Sequence, residues 1–224
     1  MKKTVFFILG LVLSTSLFAQ RKVDLGFIGG TDFYLGDINS TRLFYSPRYA
    51  VGPIFRYNID DRVSVRFHGV YANLSGTDSD FENNITKRPT PVSFSVNLVN
   101  IASQVEYNFF DYKTGIEAGE FTPYMFGGIG YSMVLSSTVE NSGVSPEQHF
   151  TIPFGVGSKL NVTRRMSAGV EWSMNKAFSD RLDGVISPLD DAELLMFNND
   201  WYSFFGLFIT YKFFKFAADC PTYD

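Results

Sequence analysis

The sequence predicts an all-β protein: an eight-stranded antiparallel up-and-down transmembrane β-barrel, preceded by a cleaved N-terminal signal peptide. Three observations predict it. Apolar and polar residues alternate with period two along eight segments, the pattern of strands with unlike faces. Aromatic residues make up 17% of the chain, with 24 Phe and 12 Tyr, far more than a polar secreted domain needs. The connections alternate long and short, as in bacterial barrels with short periplasmic turns and long outer loops.

Residues 1–19 read as the signal peptide: Lys2 and Lys3, then an apolar run over 5–13 and small residues up to Ala19. That run is too short to span a bilayer as a helix. No cysteine stands at the cut, which argues against a lipid anchor there, and Cys220 is the only cysteine, so no disulfide forms within the chain. The barrel is expected over 20–214 and a periplasmic tail over 215–224. The net charge of −4 argues against nucleic acid, whose partners present a basic footprint.

The first strand sets Val23, Leu25, Phe27, Gly29, Thr31 and Phe33 against Asp24, Gly26, Ile28, Gly30, Asp32 and Tyr34. The second turns Tyr49, Val51, Pro53, Phe55 and Tyr57 one way and Ala50, Ile54, Arg56 and Asn58 the other. A short polar link makes a hairpin with the third, where Val63, Val65, Phe67 and Tyr71 oppose Ser64, Arg66 and His68. Residues 74–91 read as a long polar loop. In the fourth segment the apolar phase changes near Leu98 and Val99, which predicts a bulge resetting the register. The fifth segment, 121–135, leaves its outward face open, because Tyr124 and Phe126 compete with Met125, Ile129 and Tyr131.

After a polar loop over 136–148, with His149 next to it also read as a loop residue, the sixth strand carries Phe150, Ile152, Phe154 and Val156 outward with Gly155, Gly157 and Lys159 opposite. The seventh sets Met166, Ala168, Val170, Trp172 and Met174 against Ser167, Glu171, Ser173 and Asn175. Residues 179–200 form the longest loop. The last strand, 201–214, places Phe205, Leu207, Ile209, Tyr211 and Phe213 on one face and Gly206, Thr210 and Lys212 on the other. It is too short for a helical span, which needs about 20 apolar residues, and long enough for a tilted barrel strand of about 9–11. Its aromatic ending resembles the C-terminal signal that barrel-assembly machinery reads.

With apolar faces toward lipid, Asp24, Asp32, Arg56, Arg66, His68, Glu106, Lys159, Glu171 and Lys212 point into the lumen. Eight strands leave room only for side chains, so these charges are expected to pair with one another as a plug and not to line a pore. Ser64 and His68 share a face but lie about 13 Å apart along a strand, too far to work as nucleophile and base. No cofactor, small-molecule substrate or catalytic residue is expected. Asp180, Asp183, Asp190, Asp191, Glu193 and Asp200 make the loop 179–200 acidic; the spacing matches no calcium loop, and a solvated loop is the default.

In the tail, Cys220, Pro221 and Tyr223 read either as an unused surface or as a docking peptide whose thiol bridges a partner. Four stretches then resemble one group, the PorG-type outer-membrane barrels of the type IX secretion system. They are DFYLGDIN at 32–39, QVEYNFFDY at 104–112, TPYMFGGIG at 122–130 and FSDRLDGV at 178–185, the last with Arg181 and Gly184 departing from the group's D-Y-L-D-D-V. The resemblance makes Tyr34, Gly36, Asp37, Asp180 and Asp183 motif-loop residues. It implies a non-enzymatic component of the Gram-negative outer membrane, with both termini in the periplasm. Such a component docks the periplasmic PorK and PorN ring proteins and supports protein export and, in some members, gliding. The alternative is a general structural or adhesive barrel acting through its outer loops.

Overall fold

The computed structural model describes residues 22–35, 44–77, 93–114, 118–140, 147–178 and 201–213. It contains eight strands: β1 (Val23–Leu35), β2 (Arg48–Asn58), β3 (Val63–Thr77), β4 (Ser93–Asn108), β5 (Phe121–Glu140), β6 (His149–Asn161), β7 (Met166–Ala177) and β8 (Trp201–Tyr211). Each pairs antiparallel with its neighbour in sequence, and β8 returns to pair with β1 from Leu25↔Tyr211 to Leu35↔Trp201, so the barrel is closed. Closure removes the sheet edges that a bilayer would leave unsatisfied.

The outside is apolar around the whole circumference. Phe27, Ile129, Phe150 and Leu207 are 70%, 71%, 67% and 63% exposed, on four different strands. Such a surface is unfavourable in water and favourable in hydrocarbon. β5, whose outward face the alternation left open, turns Phe121, Met125 and Ile129 out and buries Tyr124 and Phe126.

The interior has two layers, and this explains the phase change in β4. Toward the long connections it is mixed: Tyr34, Ala72, Leu74, Phe94, Val96, Leu98 and Phe204 are buried together, beside the buried polar side chains of Asp32, Asn100, Ser132, His149, Thr151 and Asn175. Toward the short turns it is charged. The inward face of β4 therefore stays on even positions from Phe94 to Asn108 without interruption; what changes near Leu98 is the chemistry of the filling, not the parity. The register does shift at that level, Asn97 pairing with Ser136 and Leu98 with Val134. The extra residue is Leu135, so the bulge belongs to β5.

Three expected boundaries move. β3 continues through Thr77, where a loop was expected from 74, pairing with β4 up to Thr77↔Ser93, and β5 runs to Glu140 and not 135. These extensions are polar because their side chains satisfy one another: Asn73 Nδ2 donates to Asn97 Oδ1 at 2.9 Å and Asn97 Nδ2 to Ser136 Oγ at 3.0 Å across three strands. His149, expected in a loop, begins β6 and is 3% exposed. Phe33, expected outward, is covered by the Phe44 ring, 5.1 Å away.

The β4–β5 turn folds back under the barrel mouth. The Tyr112 amide donates to Asp61 O at 3.0 Å, and the amide of Gly119, at φ +89° where a side chain would be strained, donates to Asn161 O at 2.7 Å.

Candidate functional site

The charged layer is built around Glu106 on β4. Arg56 and Arg66 are directly paired on β2 and β3, an arrangement of like charges that is unfavourable unless an anion separates them. Glu106 is that anion. Its carboxylate accepts from Arg56 Nε at 2.8 Å and Lys159 Nζ at 2.5 Å and lies 3.3 Å from Arg66 Nε. Glu171 on β7 closes the other side of Arg66, accepting from Nη1 at 2.5 Å and from the Tyr124 hydroxyl at 2.7 Å. Arg66 also donates to Gln104, and Lys159 to Asn108 Oδ1 at 2.9 Å.

Aromatic faces complete the cage. Phe126 lies 4.7 Å from the Arg66 guanidinium, Phe208 5.1 Å from that of Arg56, and Tyr124 4.2 Å from the Lys159 ammonium, distances at which a ring face attracts a cation. Glycines make room for these rings: a Cβ on Gly157 would stand 2.7 Å from the Tyr124 ring, and one on Gly155 2.7 Å from Phe126.

Of the lumenal charges expected from sequence, Arg56, Arg66, Glu106, Lys159 and Glu171 thus form one network. Lys212 has partners lower in the barrel. Its ammonium donates to Thr114 O at 2.5 Å and lies 3.8 Å from Asp24 Oδ1, while Asn58 Nδ2 donates to Asp24 Oδ2 at 2.8 Å. This second cluster sits lower, where β1, β2 and β8 meet the β4–β5 turn. That turn caps the mouth with Tyr112, 5% exposed and hydroxyl-bonded to Ser167. Burial pushes the Tyr112 phenol up to about 12, so it stays protonated.

On the surface below, Arg62 Nε bonds Asp111 at 2.7 Å and Lys113 Nζ bonds Asp61 at 2.9 Å. Each exposed pair stabilises little alone, but together they tie the β2–β3 turn to the β4–β5 turn. The Asp60 carboxylate accepts from the amides of Arg62 at 2.8 Å and Val63 at 2.7 Å, and these amides hold its pKa below the ordinary carboxylate value.

Sequence reasoning missed Tyr112, Gln104 and the ring-and-glycine pairing. A lone tyrosine in a polar turn, and glycines at alternate positions of 155 and 157, were the signals available. Ser64 donates to Asn58 Oδ1 at 3.1 Å, and His68 instead lines a small cavity of about 30 Å³ with Asp32, Asn100 and Tyr202. Among the described residues no group of three or more His, Cys, Asp or Glu side chains could hold a metal ion. Tyr34, expected as a motif-loop residue, lies in β1 and is fully buried against Phe94 at 4.9 Å between ring centroids. Gly36, Asp37, Asp180, Asp183, Cys220, Pro221 and Tyr223, the signal segment, the loop 179–200 and the tail lie outside the described residues.

Solved structures with the same architecture include three bacterial barrels. The N-terminal β-barrel domain of Pseudomonas aeruginosa OprF is 14% identical, with a TM-score of 0.43 over 86% of this chain and 98% of that one. Neisserial surface protein A is 13% identical, TM-score 0.49, over 85% and 97%. Ail, the attachment invasion locus protein of Yersinia pestis, is 9% identical, TM-score 0.40, over 85% and 95%. These are likenesses of fold alone. No curated protein matches the sequence. One family profile does, over residues 2–222, and the chain accordingly belongs to the family described as domain of unknown function DUF6089.

Proposed function

We propose that this barrel is a non-enzymatic component of the type IX secretion system in the Gram-negative outer membrane, docking the periplasmic PorK and PorN ring proteins through its short-turn end. The observation that carries this reading is the filled interior. Three cations and two carboxylates occupy the charged layer, Tyr112 and Thr114 are buried beneath it, and an apolar cluster with buried polar neighbours occupies the layer above. A filled interior among the described residues supports a role carried by the two ends of the barrel. At the short-turn end the β2–β3 and β4–β5 turns are joined by backbone bonds and ion pairs, and the four motif stretches support the secretion assignment. In this reading both termini are periplasmic and residues 215–224 extend the docking face. A pull-down from solubilised membranes with and without residues 215–224 tests it: ring proteins recovered only with the tail support docking, and equal recovery of none overturns it. Cys220→Ser tests the covalent form, which requires a partner crosslink on non-reducing gels in the wild type.

A second reading, a structural or adhesive barrel, is favoured by the polar extension of β3, β4 and β5 toward the long connections. Deleting 179–200 then abolishes function while tail truncation leaves it intact.

A further inference from the structure

The apolar belt is indented over β5 to β8. Ser158 on β6 and Val170 on β7 are direct cross-strand partners, and both are short. Larger groups rise on either side: Phe109 and Pro123 on one, Trp172 and Phe205 on the other, enclosing a groove of about 420 Å³. Its walls are fixed. The Trp172 indole N–H donates to Ser203 Oγ at 2.8 Å, and Trp172 faces Phe205 directly across the β7–β8 ladder. Its floor is fixed as well, because Gly157 lets the Tyr124 ring press against the barrel wall from inside, and that ring is held by Glu171.

We propose that this groove binds one acyl chain of a phospholipid. It lies on the lipid-facing belt, between strands whose outward residues are apolar and exposed, so hydrocarbon is the medium in contact with it. A volume in the range of about 300–1,000 Å³ suits a small ligand. The lining is aromatic and aliphatic apart from Ser158 and the inward-facing Tyr124 and Glu171, which are bonded to each other; no converging set of donors and acceptors of the kind that fixes a polar ligand is left, so the occupant is a flexible hydrocarbon. A second barrel is disfavoured, since a stable protein interface needs roughly 800 Å² per partner, far more than this indentation presents. Ser158 and Val170 lie on the short-turn half of β6 and β7, three rungs or so above Asn161↔Ser167, which assigns the chain to the leaflet on that side. The proposal does not depend on the secretion reading.

The test is native mass spectrometry of the full barrel, extracted in mild detergent with added 1-palmitoyl-2-oleoyl-phosphatidylethanolamine. One retained lipid per barrel is expected for the wild type and for Val105→Trp, which alters the belt on β4 away from the groove. Val170→Trp fills the groove and is expected to lose the adduct; Ser158→Phe does the same from the opposite strand, should one variant fail to show the heat-modifiable migration of a folded barrel. No retained lipid in the wild type, equal retention in the groove variants, or a dimer broken by Val170→Trp would each overturn the assignment.

Discussion

Glu106 is the residue on which the interior depends, since one carboxylate separates Arg56, Arg66 and Lys159. Glu106→Gln leaves these cations facing one another in a buried site, and removing one partner of a buried ion pair costs about 3–5 kcal/mol. Urea unfolding in detergent, read by tryptophan fluorescence, is expected to show that loss; an unchanged midpoint would mean the cations are held by other means. Gly157→Ala acts by volume and not by charge, because its Cβ meets the Tyr124 ring at 2.7 Å. Overpacking of this kind costs about 1–3 kcal/mol, and the same assay reads it.

Asp60 gives the pH dependence at this scale. Its folded-state pKa is depressed by the amides of Arg62 and Val63, so its contribution to the β2–β3 turn is complete above the ordinary value of about 3.9 and is lost as pH falls through the depressed one. Hydrogen exchange at those two amides is therefore expected to accelerate on acidification beyond its normal pH trend, and Asp60→Asn to flatten that change.

At the scale of elements, the strand faces were legible wherever one medium lay on each side. β2, β6, β7 and β8 turn the expected residues outward because lipid outside and charge inside impose opposite chemistry on alternate positions. β4 misleads for a definite reason: Phe94, Val96 and Leu98 are apolar and face inward, so period two persists while the contrast between faces disappears. Single cysteines along β4 check this directly. Positions 97, 99 and 101 are expected to label with a membrane-phase maleimide, and 96, 98 and 100 to stay protected; protection switching parity at 98 would place the bulge in β4 and not in β5. The ends of β3 and β5 were illegible because serine and asparagine side chains satisfied across strands read, one chain at a time, as loop. Of the site, the five-residue charge network could be expected from parity alone, whereas the Lys212–Asp24 cluster and the Tyr112 cap needed the path of the β4–β5 turn.

At the scale of the whole molecule, the two fillings give the described barrel a packed interior. Among the described residues, a mixed packing near the long connections and paired charges near the short turns occupy the interior, in keeping with the narrow bore of eight strands. The cluster around Phe94, Val96 and Leu98 lies in series with the charge network. The most direct measurement is single-channel recording of the purified barrel in a planar bilayer. No steady conductance above the bare membrane is expected for the wild type; a stable, reproducible open level would contradict a filled interior, and with it the proposal that the ends carry the function.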